Sequence, residues 1–208
     1  MSETRRASLF PRAGYDDGMT HCGQQDDGSR HGSTKDRHDA GESAVRALVL
    51  EDDGSIPNSP LPVLVYPGVL TQAQPEAVIA RFARHGWRGA WINGIYPFHH
   101  YHSTAHEVLG CVAGWARVQL GGPHGVSETL RAGDVVVIPA GVGHKRLDAS
   151  DDFAVVGAYP SGQRWDLCYG RPEERPQADA NLARVPLPTE DPVFGPEGPL
   201  RRHWHVTR

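Results

Sequence analysis

The sequence predicts an all-β sandwich or barrel for most of this chain, on three observations. Short runs of β-type residues follow one another closely between Trp87 and Pro160, each bounded by Gly or Pro. Only one stretch of the chain shows helical periodicity over more than two turns. A length of 208 residues suits a single domain with a sizeable core and a tail or two, and is short for two full domains.

The elements follow in order. Residues 1–44 are rich in Gly, Ser, Asp, Arg and His and lack apolar periodicity, so they read as a disordered tail, with His21, His31 and His38 part of a solvated polar linker. From residue 45 the texture changes: Val45 to Leu50 reads as a strand, Asp52-Asp53-Gly54 as a turn and Leu61 to Val65 as a second strand. Pro75 opens a short helix outside the sheets, Val78 and Phe82 share one of its faces, and Gly86 ends it. Further strands are expected at Ala90–Ile95, His99–His102, Val108–Val112, Ala116–Leu120, Val135–Ile138 and Phe153–Tyr159. After residue 171 the frequent prolines oppose central strands and long helices, so residues 171–208 should run extended over the domain, anchored by Leu187, Val193, Phe194 and Trp204. No internal repeat is visible.

Charge and cysteine usage narrow the function. Lys and Arg number 21 against 25 Asp and Glu, a net charge of -4 that provides no field for nucleic acid or an anionic membrane. The three cysteines, Cys22, Cys111 and Cys168, are an odd and scattered set, which argues against a disulfide framework and fits a reducing, cytoplasmic setting. Neither a signal peptide nor a run of transmembrane length is recognisable.

The chemistry concentrates in the histidines. His100 and His102, one residue apart on a strand, would place both rings on one face, about 6 to 7 Å apart. A lone pair of this kind is more often two surface or packed histidines than two ligands. Glu107 has the wrong parity to join them on an unbroken strand, so Ser103 to His106 must turn or bulge. Gly133 to Gly141 then reads as a turn, a buried strand and a turn that deliver His144 to the same place. His106 lies four residues after His102, but Gly94, Pro97 and the Tyr, Ser and Thr content oppose a helix, so His106 is read as a supporting or exposed residue.

These spacings carry a resemblance. Gly94, His100-x-His102, Glu107 and Gly114 match the first cupin motif position for position, and Gly133, Pro139-x-Gly141 and His144 match the second. Asp148 stands where the family pattern usually has Asn, which touches only a local turn or hydrogen bond. The text from His99 to Gly110, Pro139 to Lys145, and Gly157-Ala158-Tyr159-Pro160 resembles the YjlB-like cupins in particular, over roughly residues 46–200. The resemblance implies a double-stranded β-helix, or jelly-roll barrel, over residues 45–170, with a divalent metal in its mouth held by His100, His102, Glu107 and His144.

Three imidazoles and a carboxylate suit Fe, Mn, Ni, Co or Zn and leave open coordination positions. The expected activity is a metal-dependent enzyme of dioxygenase or isomerase type on a small polar molecule; the alternative is a non-catalytic binding or sensing module. A homodimer is the family-level expectation. Arg117 and Gln119, which share a face, together with Tyr159 and Trp165, are candidate pocket residues, and Cys111 is read as a buried, inert thiol.

Overall fold

A computed structural model describes residues 45–204, so the tail expected over residues 1–44 lies outside the described residues. Among the described residues, nine strands form a jelly roll of two antiparallel sheets: β1 (Arg46–Leu50), β2 (Ser59–Tyr66), β3 (Trp87–Asn93), β4 (Glu107–Ala113), β5 (Trp115–Leu120), β6 (Val126–Arg131), β7 (Val135–Ile138), β8 (His144–Ala149) and β9 (Ala154–Pro160). The larger sheet has the order β1-β2-β7-β4-β9-β3 and the smaller β6-β5-β8.

Strand alternation divides the apolar residues between two cores. Val63 and Val65 of β2, Leu109 and Cys111 of β4, and Val136 and Ile138 of β7 meet Ala116, Val118 and Leu120 of β5 between the sheets. Their neighbours Leu64, Tyr66, Val108, Val135 and Val137 form a second core on the opposite face of the large sheet. Helix α1 (Pro75–Arg84) covers that face with Val78 and Phe82, and the C-terminal segment covers it with Val193, Leu200 and Trp204. Burial on both faces explains why β7 is four consecutive apolar residues.

The departures from expectation have local causes. Strands β6 and β8 were not foreseen: each is a half-polar edge of the small sheet with one face on the core, so its apolar signal is weak. His99–His102 is an extended segment joined by isolated bridges, not a ladder strand. The segment after residue 171, expected to be extended, also forms helices α2 (Arg175–Leu182) and α3 (Pro199–His203). Both helices are short, eight and five residues, and proline sits in the first turn of each, where it costs no intrahelical hydrogen bond and can start a helix that it would break if placed in the interior.

One buried carboxylate ties the C-terminal segment to the sheet. Asp191 is fully buried; it accepts the Tyr66 hydroxyl at 2.7 Å and the backbone N–H groups of Val193, Phe194 and Leu200 at 2.8 to 3.0 Å. Trp204 adds an indole N–H donated to the Pro62 carbonyl at 2.9 Å. Replacing Asp191 with Ala would remove the acceptor of four donors, three of them in buried hydrogen bonds, each costing about 1–3 kcal/mol when unpaired. Asp191→Ala is therefore expected to lose at least about 3 kcal/mol in urea unfolding, and Asp191→Asn distinctly less because one carbonyl oxygen remains.

Candidate metal centre

The three motif histidines are placed by backbone, residue by residue. His100 and His144 exchange N–H···O=C bonds at 3.2 and 2.9 Å, Tyr101 exchanges a pair with Cys168, and Gly141 donates its N–H to the His102 carbonyl at 2.8 Å. Alternation along this stretch sends Tyr101 into a packed cluster with Ile56 and Cys168, and turns His100 and His102 toward the barrel interior. Gly141 has φ +91, and a Cβ there would lie 2.4 Å from the Asn58 carbonyl oxygen, so only glycine makes the turn that leads to His144. The chain bends at Ser103 and Thr104, as parity required, and Glu107 opens β4 on the inward side it shares with Leu109 and Cys111.

The three rings meet. One ring nitrogen each from His100, His102 and His144 lies within 4.8 Å of the other two, and all three side chains are buried. Glu107 is buried beside them, with its carboxylate oxygens 3.6 Å from His102 Nε2 and 3.3 Å from His144 Nε2.

Hydrogen bonds on the far side of each ring decide what these nitrogens can do. His100 Nδ1 faces the Phe98 carbonyl at 3.2 Å, His144 Nδ1 faces the Val142 carbonyl at 3.2 Å, and His102 Nδ1 faces the Asp166 carbonyl closely. A carbonyl oxygen only accepts, so each Nδ1 carries the proton, and in the neutral ring Nε2 is left as a lone pair. Three lone pairs and a carboxylate turned inward repel one another unless a cation lies among them. A proton on His102 is one such cation, and a divalent metal is another.

The ionisation pattern follows. Burial, then the neighbouring His144, pushes His100 down to about 2, so its ring stays neutral. Burial opposes charge on His102 too, but Glu107 and Asp166 outweigh it and raise its pKa. For Glu107, burial alone would raise the pKa, and the facing His102 and His144 rings reverse that and hold it low. The donor chemistry thus fits a divalent ion with N and O preferences.

Of the other candidates, Tyr159 and Trp165 lie at the centre. Their rings are 6.0 and 5.6 Å from His102 and stack on each other at 6.1 Å. The Tyr159 hydroxyl accepts the Trp91 indole N–H at 2.9 Å and faces Glu107. Gly157 makes this possible, since a Cβ there would fall 2.2 Å from the Trp91 ring. Arg117 and Gln119 do not reach the centre: the inward residues of β5 are Ala116, Val118 and Leu120, Arg117 is exposed, and Gln119 donates to the Pro123 carbonyl. Cys111 is a free buried thiol that burial pushes up to about 12. His106 is buried outside the ligand cluster; its Nδ1 accepts the Ala140 N–H at 3.0 Å and its ring packs on Trp204 at 4.7 Å. It braces the turn before His144. Asp148 is exposed and accepts the N–H of Ala149 at 3.0 Å.

Asp166 escaped the sequence reading. Its main-chain carbonyl orients His102, while its carboxylate accepts the Ser103 N–H at 2.6 Å, the Ser103 hydroxyl and the Thr104 N–H at 3.3 Å. A main-chain acceptor leaves no residue-type signal. Around the mouth, Tyr96, Phe98, Trp165 and Tyr169 are exposed aromatics, with Tyr96 stacked on Phe98 at 4.8 Å and set edge-on to His100 at 5.1 Å.

The family model described as Cupin matches residues 92–159. The uncharacterized protein YjlB of Bacillus subtilis (strain 168) is 42% identical over 165 residues, which are 78% of this chain and 98% of that protein. Among solved structures, acireductone dioxygenase from Bacillus anthracis, with a cadmium ion in its active centre, is 16% identical over 65% of this chain and 88% of that one, at a TM-score of 0.35. The 11S allergen of Cocos nucifera is 22% identical over 38% of this chain, at a TM-score of 0.32; the match spans 24% of that chain's length.

Asp166→Ala is expected to free the loop from Ser103 and lose about 1–3 kcal/mol in chemical unfolding. The same variant should lose the sharp ring N–H resonance of His102 in proton NMR spectra, whereas Asp166→Asn should keep it.

Proposed function

This chain belongs to the cupin family, in the group of YjlB, and from that premise we propose that it is a metal-dependent enzyme acting on a small polar molecule. In this reading His100, His102, Glu107 and His144 hold one divalent ion of Fe, Mn, Ni, Co or Zn, and the reaction is of dioxygenase or isomerase type. The observation that carries it is the inward convergence of three carbonyl-tethered imidazoles, two of them beside the buried Glu107 carboxylate.

Bound there, the ion would supply Lewis-acid polarisation and, if Fe or Mn, the capacity for O2 chemistry. The chain's own residues supply the rest. The Nδ1–H···O=C bonds keep each Nε2 aimed inward, so the donor set is preorganised. Tyr159 keeps its proton because burial, and then Glu107, raise its pKa; with its oxygen accepting from Trp91, that hydroxyl proton is available on the Glu107 side of the centre. Tyr96, Phe98 and Trp165 line the mouth with apolar surface that limits water.

The same reading places the protein in the cytoplasm, where the buried thiols of Cys111 and Cys168 stay reduced. Among the described residues no helix is long and apolar enough to cross a membrane. The open edges β1 and β3 of the large sheet offer pairing surface for a homodimer, for which light scattering should read twice the chain mass of 22.7 kDa.

Elemental analysis of protein purified without added metal or chelator tests the centre. Roughly one ion per chain is expected, falling to background in His100→Ala and His102→Ala, with any O2 uptake lost alongside it. Substoichiometric metal that is unchanged in His100→Ala would overturn the reading.

A further inference from the structure

Beside the metal centre lies a cleft of about 400 Å3, within the range of small-molecule sites. Tyr159 and Trp165 form part of its wall, and both rings also lie against His102, so the cleft and the centre share that wall. On the strand opposite, a bulge between Arg88 and Trp91 interrupts the pairing of β3 with β9 and opens room next to Tyr159.

The polar groups of the cleft are selective. Ser161 is already committed, its hydroxyl donating to the Gly86 carbonyl at 2.7 Å. Gln163 is committed too: its amide donates to the Pro186 carbonyl and accepts the His106 N–H. Two guanidiniums remain, Arg88 and Arg164; both residues are exposed, and neither forms an ion pair among the described residues. Among the described residues no acidic side chain lines the cleft, although the chain as a whole carries a net charge of -4. A planar fork such as guanidinium matches a carboxylate with two parallel hydrogen bonds, and the half-exposed Trp165 offers a flat face to a conjugated ring.

From this juxtaposition we infer that the cleft selects small planar carboxylates, so that an aromatic or conjugated acid is the substrate class. The inference rests on the enzyme reading above and deepens it: Arg88 and Arg164 hold the carboxylate, Trp165 carries the plane, and the wall of Tyr159 and Trp165 links the cleft to His102.

The test is an NMR titration of the full-length protein, read at the Trp165 indole N–H, with benzoate, its neutral isostere benzamide and the non-planar acid cyclohexanecarboxylate. Benzoate is expected to bind on the order of 1 mM and roughly tenfold tighter than either of the others. The preference over benzamide should vanish in the double variant Arg88→Gln, Arg164→Gln, whose sites are exposed and leave the core intact. The preference over cyclohexanecarboxylate should vanish in Trp165→Leu, followed there at neighbouring amide resonances. His102→Ala should keep the charge preference, because the cleft does not depend on the ion. Benzamide binding as well as benzoate, or a double variant that keeps the preference, would overturn the inference. Metal content measured on the same samples separates the two readings: a chain without metal that still prefers benzoate retains the cleft and loses the enzyme, and a metal-loaded chain with no preference loses the cleft alone.

Discussion

Three main-chain carbonyls govern the interior of this barrel. By accepting the Nδ1–H of His100, His102 and His144, the carbonyls of Phe98, Asp166 and Val142 leave three Nε2 lone pairs turned inward, those of His102 and His144 beside the Glu107 carboxylate. An all-acceptor cluster buried in a protein is unfavourable by itself and becomes favourable only around positive charge. The residues nearby serve that arrangement: Asp166 binds its loop to Ser103 so that its carbonyl stays in place, and His106 braces the turn that leads to His144 through the Ala140 N–H.

Holding such a cluster requires a rigid frame, and the large sheet provides it by being buried on both faces. Its inner face packs on the small sheet; its outer face is covered by α1 and by a C-terminal segment bound through Asp191 and Trp204. Glu107 and His144 each begin a strand of this double-layered body, at the end where the apolar packing stops. The same frame places Tyr159 on β9, where one aromatic residue takes part in both the metal centre and the arginine-lined cleft.

Much of the fold was legible because the large sheet is apolar and evenly punctuated. The β7 run Val135–Ile138, the helix beginning at Pro75 and the inward parity of Glu107 and Cys111 all follow from periodicity and turn residues. Strands β6 and β8 were not legible, because edge strands with one packed face carry too few apolar residues to stand out. Arg117 and Gln119 show the limit of parity: alternation says that they share a face, and only packing says that the face is solvent.

By itself the sequence determined the types and spacing of the ligand candidates, since His100, His102, Glu107 and His144 sit among the glycines and prolines of two cupin motifs and any slip in that spacing would turn a side chain to the wrong face. It also determined the net charge of -4. The tertiary structure alone decided which atoms orient those rings, which aromatics wall the centre, and that two arginines 76 positions apart, Arg88 and Arg164, line one cleft. The physical reason is one of range: periodicity encodes which way a side chain points along its own strand, whereas carbonyl partners and shared walls arise from contacts between segments far apart in the chain, and a main-chain oxygen is the same in every residue.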